Sequence, residues 1–168
     1  MFNKDFTKED MINLQELLRA NKQTITTAES CTGGLVAHLI TKISGSSDIF
    51  NGGIISYSNE IKSRELGVKK ETLENFGAVS TEVVEEMLKG SLVKFSASYA
   101  IAISGVAGPT GGTEKKPVGT VVIGISDKNS HFTVATYHFL GNREQVQEQA
   151  AITSLKEIYK FIQKTLDK

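Results

Sequence analysis

The sequence predicts an α/β protein in which a mixed, mostly parallel sheet lies between two layers of helices. Segments rich in apolar and β-branched residues alternate along the chain with segments whose apolar residues repeat at helical spacing. A pair of strands near the carboxyl end, at 118–125 and 131–140, has the pattern of a hairpin joined at 127–130. The length of 168 residues, without repeats or a linker, predicts a single domain spanning 1–168.

Capping residues mark the starts of three predicted helices. Thr7 followed by Asp10 has the form of a capping box, Ser80 precedes a helix through residue 93, and Asn142 precedes the last helix. Two further helices are predicted after the glycines at 33 and 34 and over residues 59–66, where Gly67 ends the second of them.

The remaining strands are predicted at 24–28, 52–57 and 99–103, and the last is an uninterrupted apolar run typical of a strand covered on both faces. Ligands of open α/β sheets bind beyond the carboxyl ends of the strands. The loops at 29–34, 57–62 and 104–113 follow such ends, and they are therefore where we expect a site.

Composition excludes several classes of function. Lys plus Arg equals Asp plus Glu at 19 each, which argues against a nucleic-acid partner. No apolar run approaches the roughly 20 residues that cross a bilayer, so no membrane partner is expected. One cysteine and three scattered histidines have no zinc spacing, and a lone cysteine suits a reducing cytoplasm. We expect no metal and no organic cofactor.

Ser30 stands where a predicted strand turns into a helix. Such a turn lifts a hydroxyl out of the sheet and places it beside N–H groups at a helix N-terminus, which are donors suited to an oxyanion. The alternative is that Ser30 or Thr32 only caps the helix, as Ser and Thr commonly do. The spacing does not match the G-x-S-x-G motif, so that motif lends no support.

A serine nucleophile needs a base, and Lys62 is better placed for this than the histidines. It lies one turn into a helix that follows another strand end, whereas His38, His131 and His138 lie within a helix or a strand pair. To act as a base at neutral pH its pKa must fall from about 10.4 to about 7–8, which requires desolvation or a nearby cation. The alternative is a solvated surface lysine.

The segment 105–113 contains four glycines, which would let backbone N–H groups approach a phosphate or ribose closely. It matches neither the P-loop nor the G-x-G-x-x-G pattern, and a flexible turn is the alternative. Arg143 opens the last helix, where a cation opposes the helix dipole. A bound anion or a carboxylate partner would explain that position, and an ordinary surface arginine is the alternative.

Several stretches occur in one order and at characteristic spacings. They are residues 27–34 (Thr-Ala-Glu-Ser-Cys-Thr-Gly-Gly), 45–47 (Gly-Ser-Ser), 57–62 (Tyr-Ser-Asn-Glu-Ile-Lys), 77–80, 103–112, 116–121 and 141–143. Together they resemble the CinA C-terminal domain family over about residues 8–163, with Asn142 where the family has aspartate.

The resemblance implies a nicotinamide-nucleotide amidase in pyridine-nucleotide salvage, which converts nicotinamide mononucleotide to nicotinate mononucleotide and ammonia. By position, it implies Ser30 as the nucleophile, Lys62 as its base and Tyr57 as a group that relays a proton or orients Lys62. The predicted substrate-binding residues are Cys31, Thr32, Gly33, Ser47, Ser104, Gly105, Gly108, Gly111 and Arg143. The resemblance also implies a homo-oligomer, and the length suggests a stand-alone form of the domain.

A rival hypothesis is a non-catalytic module that binds a nucleotide or a protein partner in competence or DNA repair. Such a module would use the glycine loop and Arg143, but it would have no need of Ser30 and Lys62 together. Both residues are present, which favours the enzyme.

Overall fold

A five-stranded mixed sheet forms the centre of the computed structural model, which describes residues 1–167. Its strands lie in the order β2-β1-β3-β4-β5. Their bounds are β1 Ile25–Glu29, β2 Phe50–Ile55, β3 Tyr99–Gly105, β4 Thr120–Asp127 and β5 Phe132–His138. β1 pairs in parallel with β2 and β3, whereas β4 is antiparallel to both β3 and β5. Only β4 therefore opposes the common strand direction, which confirms a mixed, mostly parallel sheet.

Six helices cover the two faces of this sheet, as a three-layer α/β/α fold requires. They are α1 Lys8–Ala20, α2 Leu35–Thr41, α3 Asn59–Leu66, α4 Lys70–Phe76, α5 Thr81–Phe95 and α6 Arg143–Leu166. One buried cluster joins α1, α2 and α6 to Ile101 and Ile103 of β3. A second cluster joins α3 and α5 to Ala100 and Ala102 of the same strand. Because successive strand side chains point to opposite faces, one apolar strand serves both layers.

The second face is built from small residues, which bring α5 close to the sheet. A Cβ atom added at Gly124 of β4 would lie 2.6 Å from Cγ1 of Val84 and 2.8 Å from Cδ1 of Leu88. Those separations are too short for carbon atoms, so a side chain at this position would push α5 away. Close packing of α5 in turn holds the neighbouring α3, which carries Lys62, against the same layer.

Local capping signals predicted helix ends well. The capping boxes of Thr7 with Asp10 and of Asn142 with Gln145 are both present. α3 has the expected bounds and ends at Gly67, whose φ of 69° is in the left-handed region. α4 and a short 3₁₀ helix, Ser46–Asp48, are additions to the predicted elements. α4 has no buried residue, so it lacks the apolar stripe by which a helix is detected in a sequence.

No helix within residues 1–167 combines the length and the apolar composition needed to cross a bilayer.

Candidate active site

Ser30 continues the strand pairing of β1 by one residue and then starts a tight turn. Its N–H donates to the carbonyl of Ile103 at 3.0 Å, and its own carbonyl accepts from the N–H of Gly33 at 3.0 Å. Gly33 and Gly34 have φ values of 59° and 99°, a region that glycine adopts without strain. The predicted strand–turn–helix arrangement is therefore present, with Ser30 at its start.

Neither Ser30 nor Thr32 caps α2, so the capping alternative is wrong. The capping group is Glu29, whose carboxylate accepts from the N–H groups of Val36 at 2.9 Å and Ala37 at 3.1 Å. Thr32 instead donates its hydroxyl to this carboxylate at 2.7 Å. These α2 amides are consequently already bonded, and the expectation that the helix N-terminus holds an oxyanion must be corrected.

Lys62 reaches Ser30 from the first turn of α3. Its Nζ lies 3.2 Å from Oγ of Ser30 and donates to the carbonyl of Ser56 at 2.8 Å. The side chain is 1% exposed, and no carboxylate in residues 1–167 lies within ion-pair distance of it. Burial disfavours the charged ammonium, and it lowers the pKa of Lys62 below its usual range. The alternative of a solvated surface lysine is therefore wrong.

Cys31 follows Ser30 directly and faces the same cavity, yet its thiol is not suited to nucleophilic attack. Burial, with a further contribution from the negative charge of Glu29, raises the pKa of Cys31 to about 12. Because the reactive species is the thiolate, a thiol that stays protonated is inert. Of these two adjacent side chains, Ser30 is the one that lies within hydrogen-bond distance of Lys62.

A cavity of about 270 Å³ opens above Ser30 at the carboxyl ends of the parallel strands. The three loops predicted from the sequence meet there, joined by the segment before α5 and the start of α6. Its lining comprises Ser30, Cys31, Tyr57, Asn59, Lys62, Ala78, Val79, Ser104, Gly105, Val106, Ala107, Gly108, Thr110, Gly111 and Arg143. Side chains distant in sequence thus share one concave site, as ligand-binding sites of open α/β sheets do.

The glycine loop presents backbone donors to this cavity. Within residues 1–167, the N–H groups of Ala107, Gly108, Thr110 and Gly111 have no protein acceptor. Gly108 has a φ of 82°, and a Cβ there would lie 2.4 Å from a methyl group of Val118, so only glycine fits. Successive unpaired N–H groups in a turn form an anion-binding concavity.

Arg143 extends from the first turn of α6 across the mouth of the cavity. It donates from Nη1 to the carbonyl of Gly108 and from Nη2 to the hydroxyl of Tyr57, at 2.8 Å in both cases. No carboxylate in the described chain pairs with this guanidinium. Tyr57 is 59% exposed and bonds neither Ser30 nor Lys62, so the group that orients Lys62 is the carbonyl of Ser56.

Several predicted contact residues have structural bonds or lie elsewhere. Ser104 lines the cavity but donates its hydroxyl to the carbonyl of Ala78 at 2.8 Å. Gly105 lines the cavity, and it has a steric reason to be glycine, because a Cβ there would lie 2.8 Å from the carbonyl oxygen of Thr120. Thr32 and Gly33 support the turn without lining the cavity, and exposed Ser47 lies before β2, at the opposite end of the sheet.

Glu29 and Ser56 contribute to the site without a sequence signal that predicts their roles. Glu29 belongs to the motif around Ser30, but its bonds to α2 depend on the path of the chain after the turn. Ser56 contributes a backbone carbonyl, which every residue has. Only the tertiary structure shows that this carbonyl accepts a hydrogen bond from Nζ of Lys62.

Comparison with known proteins places this chain in a family. The model of the CinA C-terminal domain matches residues 8–162. The chain belongs to that family. A CinA-like protein of Leptospira biflexa is 46% identical over 159 residues, which are 94% of this chain and 38% of the relative. A CinA-like protein of Endomicrobium trichonymphae is 49% identical over 139 residues, 83% of this chain and 32% of the relative. The chain thus spans about a third of the length of these CinA relatives.

Solved structures of the CinA superfamily share the fold along nearly the whole chain. The competence/damage inducible protein CihA of Agrobacterium tumefaciens has a TM-score of 0.86 and 33% identity, over 97% of this chain and 98% of that one. A CinA superfamily protein of Escherichia coli has a TM-score of 0.86 and 32% identity, over 95% of this chain and 92% of that one.

Proposed function

We propose that this CinA domain hydrolyses the carboxamide of nicotinamide mononucleotide to nicotinate mononucleotide and ammonia, through an acyl-enzyme on Ser30. The observation that carries the proposal is the 3.2 Å contact between Ser30 and a buried lysine that has no carboxylate partner in residues 1–167. A nucleophile within hydrogen-bond reach of a base is the arrangement that covalent catalysis requires.

Lys62 is the proposed general base. A neutral amine has two N–H groups and one lone pair, and the carbonyl of Ser56 accepts one of those N–H groups at 2.8 Å. That bond leaves the lone pair available to accept the Oγ proton of Ser30. Lowering of the pKa by burial makes the neutral form accessible nearer to neutral pH.

The reaction proceeds in two balanced steps. Oγ of Ser30 attacks the carboxamide carbon while Lys62 takes its proton; the C–N bond then breaks, and Lys62 returns the proton to the leaving ammonia. Water next attacks the resulting ester while Lys62 takes a proton from it. The C–O bond to Ser30 breaks, Ser30 recovers its proton, and nicotinate mononucleotide leaves.

The negative oxygen of each tetrahedral intermediate needs donors, and the turn after Ser30 offers them. The N–H groups of Cys31 and Thr32 have no acceptor within residues 1–167, whereas that of Gly33 is bonded to Ser30. The N–H of the residue after a nucleophile is a common oxyanion donor in strand–turn–helix sites. Because Cys31 lines the cavity and Thr32 does not, we assign the oxyanion to the N–H of Cys31 instead of to α2.

The nucleotide part of the substrate is proposed to bind Arg143 and the glycine loop. Both present donors without an anionic partner, at the edge of the cavity that contains Ser30. A phosphate accepts such donors strongly. Ser47 takes no part in this proposal because of its position at the other end of the sheet. The proposed assembly is a homo-oligomer, as the resemblance implies, and analytical ultracentrifugation measures that state. The proposed location is the cytoplasm, which a lone cysteine suits.

Incubation of the purified protein with nicotinamide mononucleotide tests the proposed function directly. Ammonia and nicotinate mononucleotide should appear in equal amounts, and a Ser30→Ala preparation treated identically should release neither. A folded wild-type protein that releases no ammonia would refute the amidase and favour the non-catalytic module.

A further inference from the structure

We propose that Glu29 is the positioning residue of the nucleophile, an inference that rests on the proposed function. Its carboxylate accepts three hydrogen bonds from the turn and helix that follow Ser30. The donors are the hydroxyl of Thr32 at 2.7 Å and the N–H groups of Val36 at 2.9 Å and Ala37 at 3.1 Å. One side chain thereby determines the path of the chain from β1 through the turn into α2.

The side chains of Glu29 and Ser30 lie on opposite faces of the sheet. Successive strand side chains alternate, and Ala28 packs with the layer of α3 and α5. Glu29 accordingly bonds to α2 in the other layer, whereas Ser30 faces Lys62 of α3. The carboxylate is thus able to hold the nucleophile turn from behind without occupying the cavity, and it does not line that cavity.

Burial of the Glu29 carboxylate restricts the conformation of the turn that follows Ser30. Glu29 is 1% exposed, and no cation in residues 1–167 lies within ion-pair distance of it. A buried carboxylate without a cation must keep its hydrogen-bond donors. The turn at 31–34 therefore cannot change its path without leaving those donors or the carboxylate unbonded.

The backbone of Glu29 also connects Ser30 to its base. Its carbonyl accepts from the N–H of Ser56 at 2.8 Å and from the Ser56 hydroxyl at 3.3 Å. The carbonyl of Ser56 in turn holds Nζ of Lys62. Nucleophile and base are both positioned relative to this one residue, by its side chain on one face and by its backbone along the sheet.

Glu29→Gln is the test, because it keeps size while placing an NH₂ group against one of the donors. We expect kcat for the mononucleotide to fall about 10- to 100-fold, the range that a small misplacement of reacting groups produces. KM should stay within about twofold, since Arg143 and the glycine loop are unchanged. The midpoint of the pH profile of Glu29→Gln should also equal that of wild type, because burial is the main cause of the lowered pKa of Lys62.

Asp127→Asn supplies a matched control at the other end of the sheet. Asp127 is also a buried carboxylate, 2% exposed, and it accepts from the N–H groups of Asn129 at 2.8 Å and His131 at 3.0 Å. This change should lower the melting temperature while kcat stays at the wild-type value. Thr32→Val should lower kcat in the same way as Glu29→Gln, and Thr32→Ser should restore it.

Labelling of Ser30 by a fluorophosphonate, followed by mass spectrometry, separates this inference from the proposed amidase. We expect folded Glu29→Gln protein to label at least about tenfold more slowly than wild type. Equal labelling rates, or a loss of kcat that Asp127→Asn matches, would overturn the positioning role. Slow labelling of the variant with no wild-type hydrolysis would overturn only the amidase, and an unlabelled wild-type Ser30 would overturn both.

Discussion

The two ends of the sheet carry cavities of similar size, but their basic side chains differ in burial and in carboxylate partners. The cavity at the Ser30 end measures about 270 Å³, and the one between the end of α5 and the β4–β5 hairpin measures about 250 Å³. At the hairpin end, Lys89 lies 3.0 Å from Glu85, and the other lining lysine, Lys128, is exposed to solvent. At the Ser30 end, Lys62 and Arg143 have no carboxylate partner in residues 1–167.

This difference supports the proposal that the cavity at the Ser30 end binds the substrate, since the volumes of the two cavities do not distinguish them. Placing an amine in the interior without a counter-charge destabilises a fold, and stability alone gives no reason to keep it. At the hairpin end, in contrast, Lys89 is paired with Glu85 and Lys128 is exposed to solvent, so neither places an unpaired charge in the interior. A buried lysine and an arginine without carboxylate partners therefore support the proposal that the Ser30 cavity binds an anionic substrate and transfers protons.

Replacing the nucleophile should produce the largest difference between the two ends. Ser30→Ala should lower kcat by at least about 10³-fold, because the hydroxyl forms the covalent bond. Stability should change by no more than about 1.5 kcal/mol, the range for one hydrogen bond. Ammonia release and thermal melting measure the two effects. Ammonia release that is unaffected by the change would mean that another group attacks the amide.

Replacing the base should have an effect nearly as large. Lys62→Arg and Lys62→Met should each lose about 10²–10⁴-fold in kcat, because arginine does not deprotonate in the working range and methionine has no basic group. In wild type, kcat/KM should rise with pH as Lys62 loses its proton, with a midpoint below the free-lysine value of about 10.4.

Kinetics from pH 6 to 10 distinguish this base from a purely electrostatic lysine. If Lys62 only attracts the phosphate, the arginine variant keeps most of its activity and the methionine variant mainly raises KM. Melting curves identify any variant in which the larger guanidinium has disturbed the buried position.

Removing the cation at the cavity mouth should have a moderate effect. Arg143→Gln should raise KM for the mononucleotide about 10- to 100-fold, the loss expected for a charge-assisted contact to phosphate, while kcat changes less. Free nicotinamide should be a poor substrate of the wild type because it lacks the parts that Arg143 and the glycine loop bind. Lys89→Gln at the hairpin end is the matched control and should leave both constants unchanged.

The smallest effect concerns stability. Because the folded pKa of Lys62 lies below the unfolded one, the unfolded chain holds its proton to higher pH. Burial of the Lys62 amine therefore lowers the free energy of unfolding. This loss is complete below the folded pKa, and it disappears as the pH rises towards the unfolded value of about 10.4. Relative to Lys62→Met, wild type should therefore gain stability with rising pH, at about 1.4 kcal/mol per unit within that window. Urea titrations of both proteins measure this, and parallel curves would contradict a neutral buried amine.

The sequence by itself determined the features that depend on neighbouring residues. Both capping boxes, the bounds of α3 and the alternation of strands with helices follow from local hydrogen bonding and apolar periodicity. The same alternation predicted that the loops after β1, β2 and β3 meet at one edge, because parallel strands end together. α4 was not predicted, because a helix without a buried residue has no apolar periodicity to detect in the sequence.

Only the tertiary structure decided which groups at that edge are available for chemistry. Burial of Lys62 depends on α3 packing beside β1, and the bonding of the α2 amides to Glu29 depends on where the turn leads. Ser104 and Ser47 are both serines in the sequence, yet one is bonded in the cavity wall and the other is exposed at the opposite end. Desolvation and hydrogen-bond partners arise from atoms distant in sequence, and for that reason local patterns do not contain them.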